Sequence, residues 1–155
     1  MRFSNPRQEA RRTEKQPIEH ILLVEDSPTQ ALSLKAVLEM EDLIVHVVGD
    51  GPEAIEHVQN QPCDLIVLDI ELPTLSGYDT CRRLKLNPVT ADLPVIMFTS
   101  RGRPADTLAG LETGAIDYIP KDVFAEAILM DTIRQLNAGA RLHQVNSMAK
   151  GDDSL

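Results

Sequence analysis

Three carboxylates, a hydroxyl and an amine stand where short apolar runs end in this sequence. Glu25 and Asp26 follow the first run, Asp69 the third, Thr99 closes the fourth, and Lys121 lies just past the fifth. Carboxylates brought close repel one another unless a cation sits among them. Oxygen-only ligands suit a hard ion. Mg2+ takes one or two carboxylates and fills its shell with waters and phosphate oxygens. A carboxylate beside such an ion can act as a nucleophile and form an acyl phosphate. A transferring phosphoryl group spreads charge over three oxygens, and its catalysis is mostly positioning and charge compensation. The ion, the Thr99 hydroxyl and the Lys121 ammonium could each meet one of those oxygens. Each residue alone has an ordinary reading: a solvated acidic loop, a helix cap, a turn, a surface lysine. Their conjunction at separate strand ends is what points to one site.

The elements that must position them read off the hydrophobic pattern. His20 to Val24 is a continuous apolar run of the kind a fully buried strand shows. Ser27, Pro28 and Gln30 then supply a cap, a first-turn proline and a capping-box partner for a helix carrying Ala31, Leu34, Val37 and Leu38. Leu43 to Val48 is the second strand, and Asp50-Gly51-Pro52 opens the second helix. Cys63 to Leu68 is a strand running into Asp69, and a helix spans about Ser76 to Leu86. Pro94 to Phe98 is the fourth strand. Pro104 opens a helix that stops at Gly114, and Ile116 to Ile119 is the last strand. The final helix carries Phe124, Ile128, Leu129, Ile133 and Leu136 toward the core.

Strict alternation of five strands and five helices predicts an α/β fold, a doubly wound (βα)5 parallel sheet. The flavodoxin-like order 2-1-3-4-5 is the common solution, and it gathers functional groups past the carboxyl ends of the strands. The expected division is a disordered tail over 1–18, one domain over 19–138, and a C-terminal tail over 139–155 that extends the last helix somewhat.

Composition narrows the function. The chain of 155 residues carries a net charge of −9. The first 19 residues hold five basic and three acidic side chains, so the remainder carries −11. Such a body repels a phosphate backbone, which argues against nucleic-acid binding. Cys63 and Cys81 form no CxxC pair, and no histidine lies at ligand spacing from them, so both read as buried hydrophobes. Neither a signal peptide nor an apolar run of membrane length is evident. A cytoplasmic protein without membrane contact is expected.

The segments "LLVEDSP", "DLIVLDIELPTLSGYD", "PVIMFTS" and "GAIDYIPKD" resemble the CheY-like receiver domains of two-component signalling, over about residues 20–137. The resemblance implies a response regulator in a phosphorelay rather than an enzyme, switched by a phosphoryl group on Asp69 with Mg2+. It implies that Asp26 and Asp69 ligate Mg2+ directly, with Glu25 acting mainly through water and the Glu71 backbone carbonyl as a further ligand. Thr99 and Lys121 would hold phosphoryl oxygens, and Tyr118 would be the switch aromatic that turns inward as Thr99 is drawn to the phosphoryl group. Glu71 and Arg101 occupy the positions that tune acyl-phosphate lifetime. The implied donor is a sensor histidine kinase or a phosphotransfer protein, and the output is a separate protein target. The face formed by 104–113, 116–119 and 122–137, including Val123, Ala127 and Met130, would serve that target or a homodimer.

Receivers usually carry a cis proline after the lysine, whereas Asp122 follows Lys121 here. A cis Lys-Asp bond would cost about 2.5–4 kcal/mol, so a trans bond is expected, with Asp122 available to cap the last helix. One competing reading is a haloacid-dehalogenase-like phosphatase, in which Asp69 is the nucleophile and Glu71 the general acid. Those enzymes place the nucleophile after the first strand and need a cap. A flavodoxin would need a hydroxyl-rich phosphate loop where Glu25-Asp26-Ser27-Pro28 stands.

Overall fold

A computed structural model of the chain describes residues 17–100 and 102–153. Five strands alternate with five helices: β1 (His20–Val24), α1 (Pro28–Glu39), β2 (Ile44–Val48), α2 (Gly51–Asn60), β3 (Leu65–Leu68), α3 (Gly77–Leu86), β4 (Val95–Thr99), α4 (Pro104–Glu112), β5 (Asp117–Pro120) and α5 (Ala125–Asp153). The strands form one parallel sheet in the order β2-β1-β3-β4-β5. This is the expected flavodoxin-like topology.

Successive strand side chains point to opposite faces, and both faces here are covered. Ile21, Leu23, Val67, Ile96, Phe98 and Ile119 pack with Leu34, Leu38, Leu129 and Ile133 of α1 and α5. Leu22, Val24, Ile66, Leu68, Met97 and Tyr118 pack with Ala54, Val58, Cys81 and Leu84 of α2 and α3. That two-sided burial is why the strands read as unbroken apolar runs. Both cysteines are buried, as expected.

The helix starts follow local chemistry. Ser27, Asp50 and Ser76 each accept the N–H three residues on, at 3.4, 2.8 and 3.2 Å, which satisfies an otherwise orphaned donor. Gly114, with φ of 101°, ends the α4 segment in the left-handed region that glycine tolerates.

Two placements differ from expectation. Ile18, placed in the tail, is buried, and its N–H donates to Asn137 Oδ1 at 2.6 Å. The packed part of the chain therefore includes Ile18, while residues 1–16 lie outside the described residues. The last helix runs on to Asp153, so the segment from 139 continues it. Phe124 and Ile128, read as core, are exposed, and Ala125 and Met130 take the buried positions. Asp122 Oδ1 accepts the Phe124 N–H at 2.9 Å in a turn, so Phe124 lies before the regular helix that starts at Ala125, while Leu129 and Ile133 stay buried. All peptide bonds among the described residues are trans, including Lys121-Asp122. No described helix is long and apolar enough to cross a membrane.

Candidate functional site

The sheet sets the acids side by side. Val24 of β1 is in register with Leu68 of β3, so the residues that follow both strands are neighbours. The Glu25 N–H donates to Val48 at 3.0 Å and the Asp69 N–H to Val24 at 3.1 Å, which continues the ladder one step past each strand. This edge lies at the β1/β3 switch point, where open α/β sheets place their crevice. On the other side, β4 and β5 pair as far as Thr99 and Pro120, and the Lys121 N–H donates to the Thr99 carbonyl at 2.7 Å.

The loop after Asp69 is held from beneath. Gly77 opens α3 and donates its N–H to Ile70 at 2.9 Å. A Cβ there would come within 2.2 Å of the Asp69 carbonyl oxygen, so only glycine lets the helix abut the loop this closely. Thr74 in the same loop has φ of 72°, a strained conformation for a β-branched residue.

Lys121 spans the site. Its Nζ donates to Glu25 Oε2 at 2.7 Å, to Asp69 Oδ2 at 3.1 Å and to Gln30 Oε1 at 2.7 Å. It also lies 5.8 Å from the Phe98 ring centroid. Glu25 and Asp69 are only 6% and 7% exposed. The other Glu25 oxygen accepts the Ser27 N–H at 3.1 Å, and Asp69 Oδ1 accepts the Glu71 N–H at 3.2 Å. The Asp26 carboxylate is exposed and enters no hydrogen bond among the described residues.

Burial and the adjacent Asp69 push the Glu25 carboxyl above its ordinary value, against the pull of Lys121. Burial also opposes ionisation of Asp69. Hydrogen bonds from Glu25 and from the buried Thr99 hydroxyl, with the Lys121 charge, outweigh it and hold Asp69 below its ordinary value. For Lys121, burial would lower the ammonium, but the Glu25 and Asp69 carboxylates raise it on balance. The site therefore keeps Asp69 ionised and Lys121 charged, with Glu25 as the group nearest to taking a proton.

The donor set fits a hard cation. One carboxylate oxygen each from Glu25, Asp26 and Asp69 lies within 4.8 Å of the others, the only such group among the described residues. Lys121 and the Ser27 N–H engage the two Glu25 oxygens, and Lys121 and the Glu71 N–H engage the two Asp69 oxygens.

The structure thus brings together Glu25, Asp26, Asp69, Thr99 and Lys121. Glu71 is exposed and contributes its N–H to Asp69. Arg101 lies outside the described residues. Tyr118 is buried here. Gly110 of α4 makes that possible, since its bare Cα leaves the slot the ring fills. On the expected partner face, Val123 is 92% exposed and Ala127 is exposed, but Met130 is core. Sequence reasoning missed Gly77 and Gly110, which no periodicity marks. It also assigned Gln30 to a capping box. Glu25 takes the Ser27 N–H instead, so the Gln30 side chain reaches Lys121.

Fold and site together define a doubly wound α/β domain with an acidic cleft, able to hold a cation, around one buried aspartate. Comparison with known proteins makes this specific. Residues 21–134 match the model of the response regulator receiver domain. The chain is 36% identical over 135 residues to the sensory transduction protein RegX3 of Mycolicibacterium smegmatis, covering 87% of this chain and 56% of that protein. It is 35% identical over 133 residues to the phosphate regulon transcriptional regulatory protein PhoB of Rhizobium meliloti, covering 86% and 58%. It thus spans little more than half the length of these relatives. Among solved structures, the receiver domain of the sensor histidine kinase PA1611 from Pseudomonas aeruginosa superimposes with a TM-score of 0.70 at 30% identity. That match covers 78% of this chain and 98% of the other, which holds a magnesium ion in its active-site cleft. The chain belongs to the response regulator receiver domain family of two-component signalling, a signalling family rather than one of phosphatases.

Proposed function

We propose that Asp69 is the phosphoacceptor of a phosphorelay, labelled by a phosphohistidine on a sensor kinase or phosphotransfer protein. An Asp69 carboxylate oxygen attacks phosphorus. The P–N bond of the donor breaks with its electron pair on the imidazole, which takes up a proton. The observation that carries this reading is the ammonium of Lys121 at 3.1 Å from Asp69 Oδ2, with Thr99 buried on the same carboxylate. Lys121 and Thr99 compensate charge on the phosphoryl oxygens, which is most of what this transfer requires. Asp26, Asp69 and the Glu71 carbonyl would hold Mg2+, with Glu25 acting through water. When bound, the ion neutralises charge on a phosphoryl oxygen.

Glu71 and Arg101 flank the mouth and set how readily water hydrolyses the acyl phosphate. The output is a shift between two packings around Thr99, Tyr118 and α4, read by a partner protein. Exposed Leu108, Leu111, Ile116, Val123, Phe124 and Ile128 give that face its apolar character and suit it to a target or a second copy. The test is labelling by acetyl phosphate, with and without Mg2+, in wild type and Asp69→Asn. Wild type should gain one phosphoryl group only with Mg2+, and the variant none. Equal labelling of the two overturns the assignment.

A further inference from the structure

An ammonium has three N–H donors, and Lys121 spends all three on oxygens: two carboxylates and one amide. The amide belongs to Gln30, in the first turn of α1, on the opposite rim from Lys121 and 91 residues away in sequence. The two rims enclose an open cleft of about 520 Å3 lined by Glu25, Gln30, Leu34, Phe98, Lys121 and Val123, among others. Gln30 is exposed and sits where a helix would normally turn such a side chain back onto its own N-terminus. Glu25 has taken the Ser27 N–H, so the amide is diverted across the cleft.

We propose that Gln30 is a positioning residue for Lys121, which deepens the phosphoacceptor reading above and rests on it. A lysine stem loses much rotamer freedom when its head is fixed. Gln30 helps fix it between Glu25 and Asp69, where an arriving phosphoryl oxygen can take the place of the Asp69 bond while the other two remain. Its neutrality matters. A carboxylate at position 30 would also hold the ammonium, but it would add a third negative charge competing with the phosphoryl group for Lys121.

The test compares wild type, Gln30→Met and Gln30→Glu in the full chain. Methionine keeps the length and removes the acceptor. Three readouts are taken: the acetyl phosphate labelling rate at saturating Mg2+, Mg2+ affinity, and the side-chain NMR signal of the Lys121 ammonium without any phosphodonor. Gln30→Met should slow labelling about three- to tenfold, the effect of one lost hydrogen bond. Mg2+ affinity should be unchanged, and the Lys121 ammonium protons should exchange faster with water. Gln30→Glu should keep the slow-exchanging ammonium signal yet still label slowly. A wild-type rate in Gln30→Met, or an unchanged Lys121 signal, overturns the proposal. The ammonium signal needs no phosphodonor, so failure of wild type to be labelled refutes the phosphoacceptor reading separately.

Discussion

Gly110→Ala tests whether the buried position of Tyr118 depends on a missing methyl group. A Cβ at Gly110 would sit 2.7 Å from Tyr118 Cδ2 and 3.0 Å from Cε2. Carbon atoms settle at about 3.5–4.0 Å, so the ring or α4 must give way by close to about 1 Å. Met97 Cγ lies 3.5 Å from the same point and leaves little slack. Overpacking of this kind costs about 1–3 kcal/mol. Replacing a helical glycine by alanine returns at most about 0.5–1 kcal/mol. Gly139 in α5 is the control, because a Cβ there meets nothing within 4 Å. Gly110→Ala should therefore be less stable than Gly139→Ala by about 1–3 kcal/mol, the clash alone.

The assay is urea unfolding by circular dichroism, with tyrosine emission as a local probe. The chain has two tyrosines and no tryptophan, so Tyr78→Phe leaves Tyr118 as the sole emitter. That substitution also removes the bond from the Tyr78 hydroxyl to the Asp106 carbonyl, so every comparison uses the same background. In Gly110→Ala, iodide should quench Tyr118 more strongly than in the parent. Stabilisation equal to that of Gly139→Ala, with unchanged quenching, would refute the slot and with it the account of why Tyr118 is buried.

Thr74→Asn should raise the urea midpoint by the equivalent of about 1 kcal/mol, because asparagine tolerates the left-handed φ of 72° that strains threonine; a lowered midpoint means no strain is stored there. Burial and then the His46 charge hold the His57 imidazole below its ordinary value of 6.5. Its neutral form is thus favoured by folding, so this stabilisation is complete above about pH 6.5 and is lost as pH falls below it. His57→Gln should flatten that slope in a pH series of unfolding curves, and an unchanged slope would assign the effect elsewhere. Asp26→Ala should abolish Mg2+ binding in a calorimetric titration while Glu25→Ala weakens it less; the reverse ranking would move the direct ligand to Glu25. Alanine at both Glu71 and Arg101 should shorten the phosphoryl lifetime, which a decay time course of the labelled protein measures.

The topology and the five chemical residues were legible in the sequence because each rests on a local signal. An apolar run, a cap and a strand-end polar group are all visible within a few positions. What sequence could not supply were the terms that depend on close approach. Gly77 and Gly110 matter for atoms 8 positions away in each case, at the Asp69 carbonyl and the Tyr118 ring. Nothing in the spacing of glycines distinguishes them from Gly139, whose Cβ would meet open space. The exposure of Phe124 escaped for a related reason. An Asx-type turn at Asp122 places Phe124 ahead of the helix, although Leu129 and Ile133 keep the core face that the 3.6-residue pattern marks.

Gln30 shows the limit most clearly, because its local reading was sound and was displaced by a competitor. Ser27 followed by Gln30 three residues on is a capping pattern, and the Ser27 half of it forms. The other half fails because Glu25 reaches the Ser27 N–H first. Lys121 pins the other Glu25 oxygen, Oε2, at 2.7 Å. The same pinning exposes the charge problem of the site. Lys121 meets two carboxylates, Glu25 and Asp69, and the exposed Asp26 lies beside them, so one ammonium faces more negative charge than it balances. Burial of unpaired charge is costly, and the upward shift of Glu25 is where that cost appears. A phosphoryl group on Asp69 brings roughly −2 in exchange for the −1 of the carboxylate. Lys121 cannot balance the sum alone. A divalent cation held by the acidic cluster would supply the missing positive charge, so labelling should require Mg2+ even at high phosphodonor concentration.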